Sequence, residues 1–252
     1  MARMPALVTA ATAALALGCC TKVTVPTGPR ATSVEELVVE PGEATALSVE
    51  TKAGDIHLGP CLKERGAMTV LATKSAATRE DLARIHPFAR VEGDTIRVGY
   101  TADPGTDGVG VSFAMEPPEV LRIRLKTSAG SLRTIRVRGE LLLETSAGNI
   151  VVEGADGTVD AEASAGDIEV AGRLRGRCRL ETDAGNVEAS IPADSRLRIL
   201  GHTNAGNARS ELSVGAGSAF ASANIVGTLG DGSDGTLELK TSAGDIALKK
   251  LP

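Results

Sequence analysis

Three carboxylates occupy one place in a recurring phrase and are the first candidates for chemistry. Asp55, Asp167 and Asp245 each follow an Ala-Gly pair. Acids repeated along one face would suit a glycan hydrolase or lyase, which needs paired carboxyl groups or an acid beside a lysine or arginine. However, Asn149, Asn186 and Asn207 stand at the same place in the intervening copies. A turn tolerates interchange of Asp with Asn and acid catalysis does not, so the position reads as a turn former. Calcium is the next option, because Gly-Asp repeats occur in calcium-binding β-rolls. One Asp or Asn in each eighteen-residue unit is too sparse for six to eight oxygen ligands. The run Gly227-Thr-Leu-Gly-Asp231-Gly-Ser-Asp234-Gly is expected as a flexible turn rather than an ion site. His57, His86 and His202 are scattered, with no Cys or His at metal spacing. No nucleophile elbow or Ser-His-Asp set is present, and Gly108-Val-Gly110 is too short to cradle a phosphate. The expectation is a non-enzyme with no catalytic residue, metal or cofactor.

The phrase itself then sets the architecture. Thr51-Lys-Ala-Gly-Asp-Ile-His-Leu returns as Thr127-Ser-Ala-Gly-Ser-Leu, Thr145-Ser-Ala-Gly-Asn-Ile-Val-Val and Ala163-Ser-Ala-Gly-Asp-Ile-Glu-Val. Further copies are Thr182-Asp-Ala-Gly-Asn-Val-Glu-Ala, Thr203-Asn-Ala-Gly-Asn-Ala and Thr241-Ser-Ala-Gly-Asp-Ile-Ala-Leu. The turn glycines are Gly54, Gly130, Gly148, Gly166, Gly185, Gly206 and Gly244, separated by 76, 18, 18, 19, 21 and 38 residues. The last gap is twice 19, which predicts a degenerate copy near Ala221-Ser222-Ala223-Asn224-Ile225.

Upstream of each glycine, apolar residues alternate with charged ones, as in Leu121, Ile123, Leu125 and Thr127, or Leu237, Leu239 and Thr241. That is the period of a strand with one buried and one wet face. A short second strand follows the turn, as in Ile150/Val152, Ile168/Val170 and Ile246/Leu248. Two architectures can host such a unit. An antiparallel meander would use Ala-Gly as a hairpin turn. A solenoid would stack equivalent strands in parallel and line the turns up as a ladder. Only the solenoid explains why the same residue types recur at the same place, since like side chains gain from like neighbours along the axis. The expected fold is all-β: a single-stranded parallel β-solenoid of 18–19-residue coils, with an N-terminal β-rich cap and one short helix.

Residues 59–118 lack the phrase and are expected as the non-repeat insert or cap. Strands are predicted at 67–73, 95–100 and 109–115. Thr78-Arg-Glu-Asp81 resembles a capping box, Leu82 and Ile85 share a face, and Pro87 is expected to stop the helix. Phe88, Tyr100 and Phe113 lie here, and such a segment could plug the end of the stack against edge-to-edge aggregation.

These residues resemble a known family. The Thr-Ser-Ala-Gly-Asp/Asn-Ile copies, the opening Pro41-Gly-Glu-Ala-Thr-Ala-Leu-Ser-Val-Glu-Thr and the closing Gly235-to-Leu248 run are similar to bacterial adhesin-like proteins of the DUF4097 type, over about residues 40–250. The resemblance implies an extracytoplasmic, all-β, repeat-built domain. Ser131 and Ala208 depart from the phrase, so those rungs are expected to be irregular.

Composition agrees. Among 252 residues there are no Trp, one Tyr and three Phe, fewer aromatics than a globular enzyme core of this size uses. A net charge of −5 argues against nucleic-acid binding. Arg3 followed by the apolar run Pro5–Leu17 reads as a leader too short to span a bilayer. Leu15-Ala-Leu-Gly-Cys19 resembles a bacterial lipobox, which implies a signal peptide over 1–18 and acylation at Cys19, with Cys20 as the fallback. Several acyl chains would anchor the protein to membrane lipid. The absence of Asp after Cys19 implies, in a Gram-negative cell, the outer membrane. Residues 19–40 are then expected as the lipidated N-terminus and a Thr/Pro linker that lifts the 41–252 domain off the lipid. Cys61 and Cys178 could pair in an oxidising compartment. Cys178, at a place where other copies carry Leu143 or Leu237, reads instead as a small core residue.

Outward charges run from basic (Arg122, Arg124, Lys126) to acidic (Glu144, Glu153, Glu162), a solvated face that could also meet an envelope polymer or surface ligand. The functional expectation is a lipid-anchored cell-envelope adhesin or scaffold. The alternatives are a polysaccharide-modifying β-helix enzyme, which Asp167→Asn would inactivate, and an envelope-stress sensor domain.

Overall fold

The structure, a computed structural model, describes residues 23–24, 30–61, 66–119, 122–219 and 222–251. Cys19, Cys20 and the leader lie outside the described residues. In chain order the strands are β1 Val23–Thr24, β2 Ala31–Val39, β3 Ala46–Ala53, β4 Ile56–Leu58, β5 Met68–Ala76, β6 Ile85–Glu92 and β7 Thr95–Ala102. They continue as β8 Gly110–Met115, β9 Arg122–Ala129, β10 Leu132–Ile135, β11 Arg138–Ala147, β12 Ile150–Ala165, β13 Ile168–Leu174 and β14 Gly176–Ala184. The last are β15 Val187–Ile191, β16 Leu197–Ala205, β17 Ala208–Ser210, β18 Gly215–Ala219, β19 Ser222–Thr228, β20 Gly235–Ala243 and β21 Ile246–Lys250. One short helix, α1, spans Arg79–Ala83.

Each copy of the phrase forms a coil with two arms joined at its Ala-Gly corner. The upstream arms stack in parallel in the order β3, β9, β11, the second half of β12, β14, β20 and β16. The downstream arms stack in the matching order β4, β10, the first half of β12, β13, β15, β21 and β17. Equivalent residues align around each corner, and the β12–β13 register shifts by one residue only at a bulge between Glu153 and Ala155. Thr51, Thr127 and Thr145 form one row, and Thr182, Thr241 and Thr203 another. Period-2 alternation therefore becomes continuous interior columns. One runs Ile56, Leu132, Ile150, Ile168, Val187, Ile246, and every member is at most 1% exposed. A narrow interior filled by branched aliphatics needs no large rings, which accounts for the scarcity of aromatics.

Two features correct the purely parallel, sequential solenoid. First, coil order departs from chain order: the last strands, β20 and β21, lie between the β14–β15 coil and the β16–β17 coil. Charge is one reason. Arg177 and Arg198 both align with Thr236, so direct stacking of β14 on β16 would set two arginines side by side. Intercalation instead places Glu238 3.2 Å from Arg177 and Lys240 2.7 Å from Glu181. Second, the sheet is mixed. β19 runs antiparallel to β16, and β18 antiparallel to β19. The degenerate copy expected at 221–225 is therefore no corner. Asn224 stands where a corner glycine is needed, the strand runs straight, and Ile225 packs over Gly201.

The insert continues the sheet past the first coil, with β7 parallel to β3, β8 parallel to β4, and β5, β2 and β1 added antiparallel beyond β8. Thr78 caps α1, its hydroxyl accepting the Asp81 N–H at 3.1 Å. Pro87 does not stop the helix. Ile85 and Pro87 already belong to β6, which among the described residues pairs only with β7, and an edge strand tolerates the missing donor. Of the expected linker, Ala31–Val39 is strand β2. Cys61 and Cys178 are free thiols, and Cys178 is fully buried in the row of Leu237. Leu143, by contrast, belongs to the row of Ala161 and Leu180.

Candidate functional site: the glycine corners and their ladder

The turn glycines converge on one edge of the stack, where backbones touch. Six of the seven have φ between +137° and +152°, while Gly206 lies outside that range. A Cβ on any of the seven would fall 2.0–2.3 Å from a backbone carbonyl oxygen, that of Val111 in β8 for Gly54 and that of the next coil's corner glycine for the others, for example Gly130 O against Gly148. Only glycine permits that approach.

The residue after each glycine carries a second ladder. The Asp55 carboxylate accepts the Ser131 N–H at 2.8 Å, the Asn149 side-chain oxygen accepts the Asp167 N–H at 3.0 Å, and Asp167 accepts the Asn186 N–H at 2.7 Å. Asn186 accepts the Asp245 N–H at 2.9 Å, and Asp245 accepts the Asn207 N–H at 2.8 Å. What the position requires is an acceptor oxygen one coil away, so Asp, Asn and Ser interchange. Ser131 takes part, its hydroxyl accepting the Asn149 N–H at 3.3 Å, so this departure from the phrase leaves the rung regular. The three acids never neighbour one another. Neutral residues separate them, and Asp167 and Asp245, flanking Asn186, stand about two strand spacings apart, roughly 10 Å. Intercalation of the last coil maintains this alternation, because sequential stacking would leave Asn186 against Asn207.

A third ladder lies inside. Thr127, Thr145, Thr182, Thr241 and Thr203 each donate a hydroxyl hydrogen bond to the corner glycine carbonyl of the neighbouring coil, at 2.8–3.1 Å. Ala163 interrupts the series, and it is 2% exposed between Thr145 and Thr182. Ala163→Thr should therefore supply the missing bond to Gly148 O. The expected gain is about 1 kcal/mol, read as a melting temperature higher by roughly 2–4 °C.

The remaining candidates stay dispersed. His57, His86 and His202 are all exposed; His86 lies 3.3 Å from Asp103, and His202 lies between Asn224 and Asn204 at 2.6 and 2.8 Å. In the 227–235 turn, Asp231 accepts the Ser233 N–H at 3.0 Å, while Asp234 accepts the Arg196 N–H at 3.1 Å and pairs with its guanidinium at 2.9 Å. Arg196 holds the Asp234 carboxyl below its ordinary value. Among the described residues, no group of three or more His, Cys, Asp or Glu is placed to hold a metal ion.

The Toastrack DUF4097 family model matches residues 21–249. The chain belongs to this family. No curated protein matches it in sequence. Among solved structures, this Toastrack chain is similar to a candidate cell adhesion protein from Clostridium sporogenes, at 13% identity, 87% coverage of this chain, 100% of that one and a TM-score of 0.48. It is also similar to a candidate adhesin from Bacteroides fragilis, at 8% identity, 86% and 97% coverage and a TM-score of 0.45. A candidate lipid binding protein from Parabacteroides distasonis shares 11% identity over 87% of this chain and 97% of that one, with a TM-score of 0.32.

The outward face of the upstream Toastrack arms is a mosaic of ion pairs rather than a basic half and an acidic half. Glu144 meets Lys126 and Arg124, each at 2.7 Å, and Glu181 meets Lys240 at 2.7 Å and Arg179. Lys126 and then Arg124 pull the Glu144 carboxyl down from its ordinary value; Lys240 and Arg179 do the same for Glu181. Depressed carboxylates add stability above their ordinary value, and that stability disappears as pH falls through the folded-state value. Glu144→Gln and Glu181→Gln should each cost up to about 1 kcal/mol at pH 7. In denaturation curves the deficit should close below the ordinary carboxylate range. A deficit unchanged at pH 3 would show that charge is not its source.

Proposed function

We propose that this protein is a non-enzymatic, lipid-anchored component of the cell envelope whose stacked coils present a rigid surface for adhesion or scaffolding. The observation that carries this reading is the use made of the repeated polar residues. Asp, Asn and Ser at the corners bind the next coil, the threonines bind the corner carbonyls, and the outward charges pair across coils. The groups best placed for acid chemistry thus hold the stack together. The names of the adhesin-like structures, and the lipobox resemblance at Cys19, support an envelope address. No helix among the described residues is long and apolar enough to cross a membrane. The proposed attachment is the acylated cysteine.

Protease shaving and surface labelling of intact cells, with wild type beside Cys19→Ala, test the reading. The wild type should fractionate with membranes and be accessible from outside, and the variant should accumulate unprocessed. A variant processed and membrane-bound like wild type would remove the anchor. A wild type that stays protected in intact cells would remove direct adhesion.

A further inference from the structure

A lipid anchor at Cys19 would, together with the fold, orient the domain on the membrane. This inference rests on acylation at Cys19. Only residues 20–22 lie between Cys19 and β1. Four residue steps reach at most roughly 14 Å even when fully extended. β1 is not a free tether, because it pairs with β2, Val23 opposite Val34 and Thr24 opposite Ser33. An acylated Cys19 therefore holds the β2 edge of the sheet close to the headgroups, where a linker over 19–40 would have let the whole domain swing free.

The surface brought there is unlike the ion-paired face of the upstream arms. Val38 is 60% exposed, Leu71 44% and Val34 37%, three of the six large apolar side chains that stand exposed among the described residues. They share the outward side of β2 and β5, where Val34 faces Thr73, Glu36 faces Leu71 and Val38 faces Thr69. Glu36 is the one charged residue in those pairs. Three partly exposed aliphatics could not retain a protein on a bilayer alone. On a domain already tethered nearby they need only select an orientation, because tethering makes the contact intramolecular.

We propose that the outer face of β2 and β5, carrying Val34, Val38 and Leu71, rests against the lipid surface, while β19, paired with β16 of the upstream arms at the other end of the stack, stays clear of it.

The chain has no tryptophan, so a single introduced indole reports one position. Val38→Trp, Leu71→Trp and, as the distal control, Val226→Trp all replace exposed side chains, Val226 being 59% exposed. Each full-length protein is purified from membranes and reconstituted in phosphatidylethanolamine–phosphatidylglycerol vesicles with brominated acyl chains. The mass of the N-terminal peptide of the same preparation reports acylation. The expected result is an acylated N-terminus, loss of emission at positions 38 and 71, and unchanged emission at 226. Acylated protein with no quenching at 38 and 71, or with equal quenching at all three positions, overturns the docking face and leaves the anchor standing. Unacylated protein with quenching at 38 and 71 alone removes the anchor and keeps the face. Unacylated protein without quenching removes both.

Discussion

Replacing Gly148 with alanine is expected to destabilise the protein by about 4 kcal/mol or more, the range reached by overpacking and backbone strain together. The added methyl would lie 2.0 Å from the Gly130 carbonyl oxygen, on a backbone held at φ +148°. Relief would require the two coils to separate, which lengthens every parallel hydrogen bond on either side of the corner. Gly42 supplies the control. It also has positive φ, +55°, but its Cβ would meet nothing within 4 Å. Gly42→Ala should therefore cost only the left-handed backbone penalty, about 1–2 kcal/mol. Chemical denaturation of both variants checks the contrast. If Gly148→Ala costs no more than Gly42→Ala, the corner backbones are not in contact.

The second large effect concerns a charge inside the insert. Lys74 is 2% exposed, its ammonium 3.1 Å from the Glu35 carboxylate and donating to the Ile85 carbonyl at 3.2 Å. It thereby ties β5 to β2 and to the start of β6. Glu35→Ala should cost about 3–5 kcal/mol, because it strands a buried ammonium. Removing both charges together, as Glu35→Ala with Lys74→Met, should recover most of that loss, since a well-packed apolar side chain replaces a buried pair at little cost. A double-mutant cycle measures the coupling. Additive single and double variants would mean that the two charges do not stabilise each other.

Much of the molecule was legible before any coordinates. The spacing of Gly130, Gly148, Gly166 and Gly185, the alternation around Leu141 and Leu143, and the short strands after each corner are local signals, set within a few residues by steric freedom at glycine and the two-residue period of a strand. The Asp/Asn interchange likewise marked the position after each glycine as one that does not require an acid. The function of that position, however, was read as a turn and proved to be a hydrogen bond to the next coil. A local reading sees the residue that bends the chain but not the N–H that another coil brings to it.

By itself, then, the sequence determined the repeat unit, its two faces and its glycine corners. Tertiary structure alone decided which coil lies on which. All copies present nearly the same edge, so any could stack on any other. The order observed is the one that satisfies pairs distant in sequence, Arg177 with Glu238 and Glu181 with Lys240, and keeps Asp alternating with Asn along the axis. The same holds for Lys74. Its place in β5 marks it as inward-facing, but whether an inward ammonium is tolerable depends on Glu35 arriving from a strand paired only in the folded chain.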